Sequence, residues 1–227
     1  MIDLKKQEEL FVAIGGRLKK RLECFVIGGS AMMYYGVNAN TKDIDLVFLD
    51  LEDLKIVTEI LEDLGYMERP PWLLYARKRD VPLLLELGDS RIDLFTRKII
   101  GFKFTDEMAE RVQKVHEYGN FIVKIVSPED IILLKSATER AGDRIDAKNI
   151  LDKFKINWEI IIEESLKQTK LGDAVFPAFL FDFLSELKED LKADIPGDVI
   201  LKIMKIAEKE IIKAKKEGRL FKVERFG

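Results

Sequence analysis

Cysteine and histidine are almost missing from this chain: its 227 residues hold one of each, Cys24 and His116. A lone cysteine cannot close an internal disulfide, and the two together cannot assemble a zinc site of Cys/His type. No apolar run approaches the roughly 18 residues of a membrane span. The opening Met1-Ile2-Asp3-Leu4-Lys5-Lys6 lacks the apolar stretch of a secretory leader, so the expected setting is the cytoplasm, with no membrane partner. Neither G-x-G-x-x-G nor G-K-[ST] occurs, which excludes the dinucleotide fingerprint and the P-loop. Asparagine and glutamine total only eight against 35% charged residues, a balance shared with thermophilic proteins.

Strong basicity is also absent. A net charge of −3 argues against a surface devoted throughout to nucleic acid. Charge is uneven, however: Lys202 to Gly227 hold nine Lys/Arg and four Asp/Glu, a local +5 that leaves −8 on the remainder. That segment reads as a solvated helix face, with contact to RNA as the alternative. With 47% hydrophobic residues the chain has ample material for a core.

What is present gathers in one stretch, Phe25 to Leu49. Phe25-Val26-Ile27 reads as a strand that stops at Gly28-Gly29, and a helix is expected to open at Ser30, a favoured N-cap residue. Backbone N–H groups bared at a helix start attract phosphate. Asp43-Ile44-Asp45 then begins a second strand that puts both carboxylates on one face, roughly 6.6 Å apart at the Cα level. Two like charges so close need a cation between them, and magnesium prefers such oxygen ligands along with substrate phosphates.

These residues resemble the signature of the nucleotidyltransferase superfamily of DNA polymerase β-like fold, a strand ending in Gly-Gly/Ser followed by a helix and a strand with Asp-h-Asp, where h is apolar. The match is Gly28-Gly29-Ser30 with Asp43-Ile44-Asp45. The resemblance implies a third carboxylate from a later strand, and Asp93 in Arg91-Ile92-Asp93-Leu94-Phe95 is of the right type. If Asp93 is only a sheet-surface residue paired with Arg91, the site binds rather than reacts. Lys135 to Asp146 looks like the Lys…Arg…Asp-x-x-Asp segment of AbiEii-type enzymes, many of which belong to toxin–antitoxin systems. Implied in turn are Mg2+ or Mn2+ held by Asp43, Asp45 and Asp93, a nucleoside triphosphate gripped by Gly28, Gly29, Ser30 and Lys135, and an acceptor such as tRNA, another RNA or a protein. A cognate toxin or antitoxin is an implied partner. Two other readings stay open, a nucleotide-binding regulator without turnover and a small-molecule adenylyltransferase. The bland reading of Lys135 is an ion pair with Glu139, and that of Asp143 and Asp146 is helix capping.

The expected fold is α+β, a mixed sheet flanked by helices over residues 1–126 and a helical region over 127–227 packed on it. Leu4 to Leu22 and Leu51 to Leu64 have helical periodicity, and Gly65 is a stop for the second. The loop 36–42 can lie over the site, and Lys42 reads as solvent-exposed, with a phosphate contact as the alternative. Strands are expected at Leu73–Ala76, Leu83–Leu87, Ile92–Phe95 and Phe121–Val126, and helices at Pro128–Ala141, from Asp143, at Trp158–Thr169, Val175–Leu191 and from Pro196 to about Lys216. Trp72, Tyr75 and Arg77 read as core, with a base pocket as the alternative. Phe176, Phe179, Phe181 and Phe183 also read as core, with a homodimer or partner surface as theirs. Arg111 and His116 have the R-x4-H spacing of HEPN ribonucleases, but they fall in a short helix-like segment between strands and are set aside.

Overall fold

The computed structural model describes residues 1–75, 80–172 and 174–218, which divide into two compact units, Met1–Ser127 and Pro128–Gly227. The first unit is built in the order β1 (Ile2–Asp3), α1 (Leu4–Gly15), β2 (Leu22–Ile27), α2 (Gly28–Tyr34), β3 (Asn40–Thr41), β4 (Asp43–Phe48), α3 (Leu51–Asp63), β5 (Met67–Arg69), α4 (Trp72–Tyr75), β6 (Leu83–Leu87), β7 (Ser90–Thr96), β8 (Lys98–Ile99), β9 (Phe102–Lys103), α5 (Asp106–Glu110), β10 (Lys114–Tyr118) and β11 (Phe121–Ile125). Seven strands form one mixed sheet in the order β10-β11-β2-β4-β7-β6-β5. Its two parallel pairs are β11 with β2 and β4 with β7.

Local chemistry explains the elements. The run Leu22 to Ile27 lies inside the sheet, and all but Glu23 of it is buried, which is why it reads as nearly continuous apolar sequence. Asp3 caps α1 by accepting the Lys6 N–H at 2.8 Å. At the end of α3 the Gly65 N–H bonds the Glu62 carbonyl at 2.8 Å and the Tyr66 N–H bonds Leu61 at 3.0 Å, the paired closure that a glycine stop provides. Leu54 of α3 shares a groove with Leu83 and Leu94, so α3 covers the face to which Ile92 and Leu94 point. The carboxylates of β4 and β7 are left to the opposite face.

Among the described residues the second unit holds five helices, α6 (Pro128–Ser136), α7 (Ala141–Lys153), α8 (Trp158–Leu171), α9 (Phe176–Glu189) and α10 (Gly197–Lys216). Phe176, Phe179 and Phe183 are fully buried, and the first two meet edge to face at 5.5 Å, so these three are core, whereas Phe181 is half-buried.

Four expectations are corrected. The helix from Leu4 stops at Gly15, and Leu22 opens β2 instead of closing the helix. Trp72–Tyr75 is a helical turn rather than part of a strand, because Pro70-Pro71 before it starts a turn; Ala76 and Arg77 lie outside the described residues. Lys114–Tyr118 is an edge strand paired along its whole length with β11, so His116 has no helical setting. Helix α6 stops at Ser136, earlier than Ala141, and α7 opens at Ala141, upstream of Asp143.

Candidate active site

Three carboxylates line one face of β4 and β7. The strands run parallel with Asp43 opposite Arg91, Ile44 opposite Ile92 and Asp45 opposite Asp93. Two copies of one local pattern, Asp-Ile-Asp and Arg-Ile-Asp, therefore stand side by side. Their period of two sends both isoleucines into the core and all four polar side chains to the other face. Asp93 thus lies on the strand beside the one carrying Asp43 and Asp45.

The glycine turn is brought to the same place by strand direction. β2 is antiparallel to β4 with Ile27 opposite Asp45, so the chain leaves β2 against that carboxylate. Gly28 takes φ +61°, and a Cβ there would sit 2.6 Å from Asp45 Oδ2; a Cβ on Gly29 would sit 2.7 Å from Thr41 Oγ1. Gly28→Ala is expected to destabilise the chain by about 1–3 kcal/mol through the left-handed backbone alone, and to push the Asp45 carboxylate away. Urea denaturation measures the first effect, and an unchanged midpoint would contradict it.

Ser30 is not the N-cap. Helix α2 opens at Gly28 after Ile27, without a side-chain cap, and Ser30 is buried inside its first turn. The Ser30 hydroxyl donates to the Asp43 carbonyl oxygen at 3.0 Å, tying the turn to β4. Lys42 is exposed, as its bland reading had it.

The cation among the carboxylates is a guanidinium. Arg91 Nη2 donates to Asp43 Oδ2, Arg91 Nε donates to Asp93 Oδ1 at 3.0 Å, and Tyr75 Oη donates to Asp93 Oδ2 at 2.6 Å. Asp93 is fully buried, so its pairing with Arg91 does not make it a sheet-surface residue. Sequence reasoning paired Arg91 with Asp93 but missed its reach to Asp43 and the hydroxyl of Tyr75. The matched Asp-Ile-Asp and Arg-Ile-Asp patterns were the available signal for the first; the second had none. Trp72, by contrast, is 65% exposed.

Among the described residues no three acidic, histidine or cysteine side chains are drawn together around one metal position. The donor set still suits a hard cation, because it consists of carboxylate oxygens on adjacent, in-register strands. Arg91→Met would leave the Asp93 charge buried without its cation, a loss of roughly 3 kcal/mol. The expected result is a lower thermal midpoint that millimolar Mg2+ raises more in the variant than in the unmodified chain. A magnesium response no larger than wild type would count against a cation position here.

Lys135 belongs to the second unit. Its Nζ donates at 2.6 Å to both Asp143 Oδ1 and Asp146 Oδ2, and its side chain is only 8% exposed. Thr138 and Arg140 complete the shell around Asp143. Burial alone would raise the Asp143 carboxyl pKa, but the Lys135 charge and hydrogen bond, with help from Thr138 and Arg140, outweigh it and hold the group below its ordinary value. Both aspartates thus answer Lys135 instead of capping a helix.

Comparison with known proteins adds the following. A family model described as "Nucleotidyltransferase of unknown function (DUF6036)" matches residues 6–176, from α1 to the start of α9. No curated protein matches the chain. Among solved structures it is similar to the crystal structure of an antigenic nucleotidyltransferase-like protein from Paracoccidioides brasiliensis, at 14% identity over 88% of this chain and 98% of that one, with a TM-score of 0.44.

Proposed function

The chain belongs to this nucleotidyltransferase family, and from that premise we propose that the carboxylate face of β4 and β7 transfers a nucleoside monophosphate from a nucleoside triphosphate to a hydroxyl acceptor. The observation that carries the reading is the register of Asp45 with Asp93 beside a glycine turn whose missing side chain leaves room at Asp45.

Asp43, Asp45 and Asp93 would hold Mg2+ or Mn2+, which supplies Lewis-acid stabilisation of the triphosphate charge. The backbone N–H groups at Gly28, Gly29 and Ser30 face phosphate oxygens, while the Ser30 hydroxyl keeps β4 in place. The acceptor oxygen attacks the α-phosphorus, the bond to the bridging oxygen breaks, and pyrophosphate leaves with the electron pair. The acceptor proton passes to Asp93 or, where Asp93 serves as a shared metal ligand, to water. Tyr75 and Arg91 donate to Asp93 and hold its carboxylate in one orientation. Lys135 spends two of its three N–H donors on Asp143 and Asp146 within the second unit.

Incubating the protein with magnesium, each labelled nucleoside triphosphate in turn, total RNA and cell extract tests this against an Asp43→Asn/Asp45→Asn control. Label passing to RNA, protein or a small molecule only with the unmodified chain establishes transfer and names the acceptor class. The guanidinium between Asp43 and Asp93 favours a second reading, a regulator that binds nucleotide without turnover. Metal-dependent nucleotide binding without transfer, lost in the double variant, would select it.

A further inference from the structure

The outer face of α10 carries a row of lysines that no element of the fold requires. At about 100° per residue, Lys202, Lys205, Lys209, Lys213 and Lys216 fall within a sector of about 80°, nearly opposite the buried Ile203, Ala207 and Ala214. All five are exposed, and they span about 21 Å of helix axis. Within that sector Asp198, one turn before Lys202, is the single acid, while Leu201 and Ile212 lie at its border.

Ordinary explanations for such a row fail in turn. Cations favour the negative end of a helix dipole, but that effect is confined to the last turn and leaves Lys202, Lys205 and Lys209 unexplained. Lysines three or four apart repel and destabilise a helix, so the row is a liability for folding. Lys202, at the head of the row, pairs with Glu159 of α8, as Lys148 pairs with Asp152 of α7. Among the described residues no ion pair or hydrogen bond engages the side chains of Lys205, Lys209, Lys213 or Lys216.

We infer that this face of α10 is a binding surface for the phosphodiester backbone of nucleic acid. A charge every four or so residues, on long flexible stems, matches a linear polyanion; 21 Å covers about six phosphates on one strand of a duplex. A membrane surface is the poorer fit. Helices that lie in lipid need a broad exposed apolar side, and most of that side of α10 is buried within the unit, where Ala207 joins Val175 and Ala178 in one cluster with Ile211 against it, leaving Leu201 and Ile212 exposed beside the lysines. The surface stands whether or not the first unit transfers nucleotides, and its test needs no turnover.

The test is fluorescence anisotropy with a labelled single-stranded RNA and a DNA of the same sequence, titrated with the full chain over a series of salt concentrations. Four free lysines predict a slope of log K against log salt of about −3, so a fourfold rise in salt weakens binding about fiftyfold. Lys205→Gln/Lys209→Gln/Lys213→Gln/Lys216→Gln is expected to abolish that dependence, with a thermal midpoint no lower than wild type because like-charged neighbours are removed. Should it fold poorly, Lys209→Gln alone should reduce the slope by about 0.7. Lys5→Gln/Lys19→Gln/Lys155→Gln/Lys170→Gln removes the same charge from scattered exposed positions and should leave the slope within a fifth of its value, as roughly expected if only contacted charges count. Binding of either nucleic acid in this pattern supports the inference. Three results would overturn it: no binding at low salt, equal losses in the ladder and scattered variants, or tighter binding to phosphatidylserine vesicles than to either nucleic acid.

Discussion

Asp45→Asn is expected to lower nucleotide transfer by roughly a thousandfold while leaving the fold in place. A metal ion contributes several kcal/mol of transition-state stabilisation, and each 1.4 kcal/mol is about a factor of ten in rate. Asparagine has nearly the same shape, so it keeps the close packing under Gly28, where no side chain could replace it. It also removes one negative charge from a cluster of three, which offsets the loss of a hydrogen-bond acceptor. The midpoint of urea unfolding should therefore stay within about 0.5 kcal/mol of wild type. Full turnover by the variant would sink the metal reading; a large stability loss would show instead that Asp45 is structural.

Lys135→Met should destabilise the second unit by about 3–5 kcal/mol, the cost of removing one partner from a buried ion pair. Here one cation serves two carboxylates, so methionine takes from Asp143 and Asp146 the charge they share, while Arg140 stays beside Asp143. The pH dependence separates this cause from lost packing. Because the folded Asp143 titrates below its ordinary value, its stabilisation is present above about pH 4 and fades as pH falls through the lower folded value. The gap between wild type and variant should narrow below about pH 4, where protonation relieves the repulsion. A gap unchanged across that range would assign the loss to packing.

The parts of the site legible in the sequence are those set by neighbours along the chain. Gly28-Gly29 ends a strand because only glycine tolerates the φ and the close approach found there. Asp43 and Asp45 share a face because side chains alternate along β4. Gly65 closes α3 by bonds to its own last turn. The misread pieces are those where local preference was weak or overruled. Lys114–Tyr118 mixes charged and apolar residues without a firm period and is a strand because β11 lies next to it. Trp72–Tyr75 is too short for any period to declare itself.

Composition and local pattern alone determined an α+β chain with a glycine turn, an Asp-Ile-Asp strand and a wholly helical second part, since each follows from backbone sterics or from a repeat of two or 3.6 residues. Tertiary structure decided which groups meet. The parallel register of β4 and β7 sets Asp93 beside Asp45 and Arg91 beside Asp43, 48 positions apart in each case. The fold of α6 onto α7 turns Lys135 from a helix-surface charge into a buried clamp on two aspartates. Register and packing are choices between distant segments, made by burial summed over the whole unit, and no short stretch of sequence contains them.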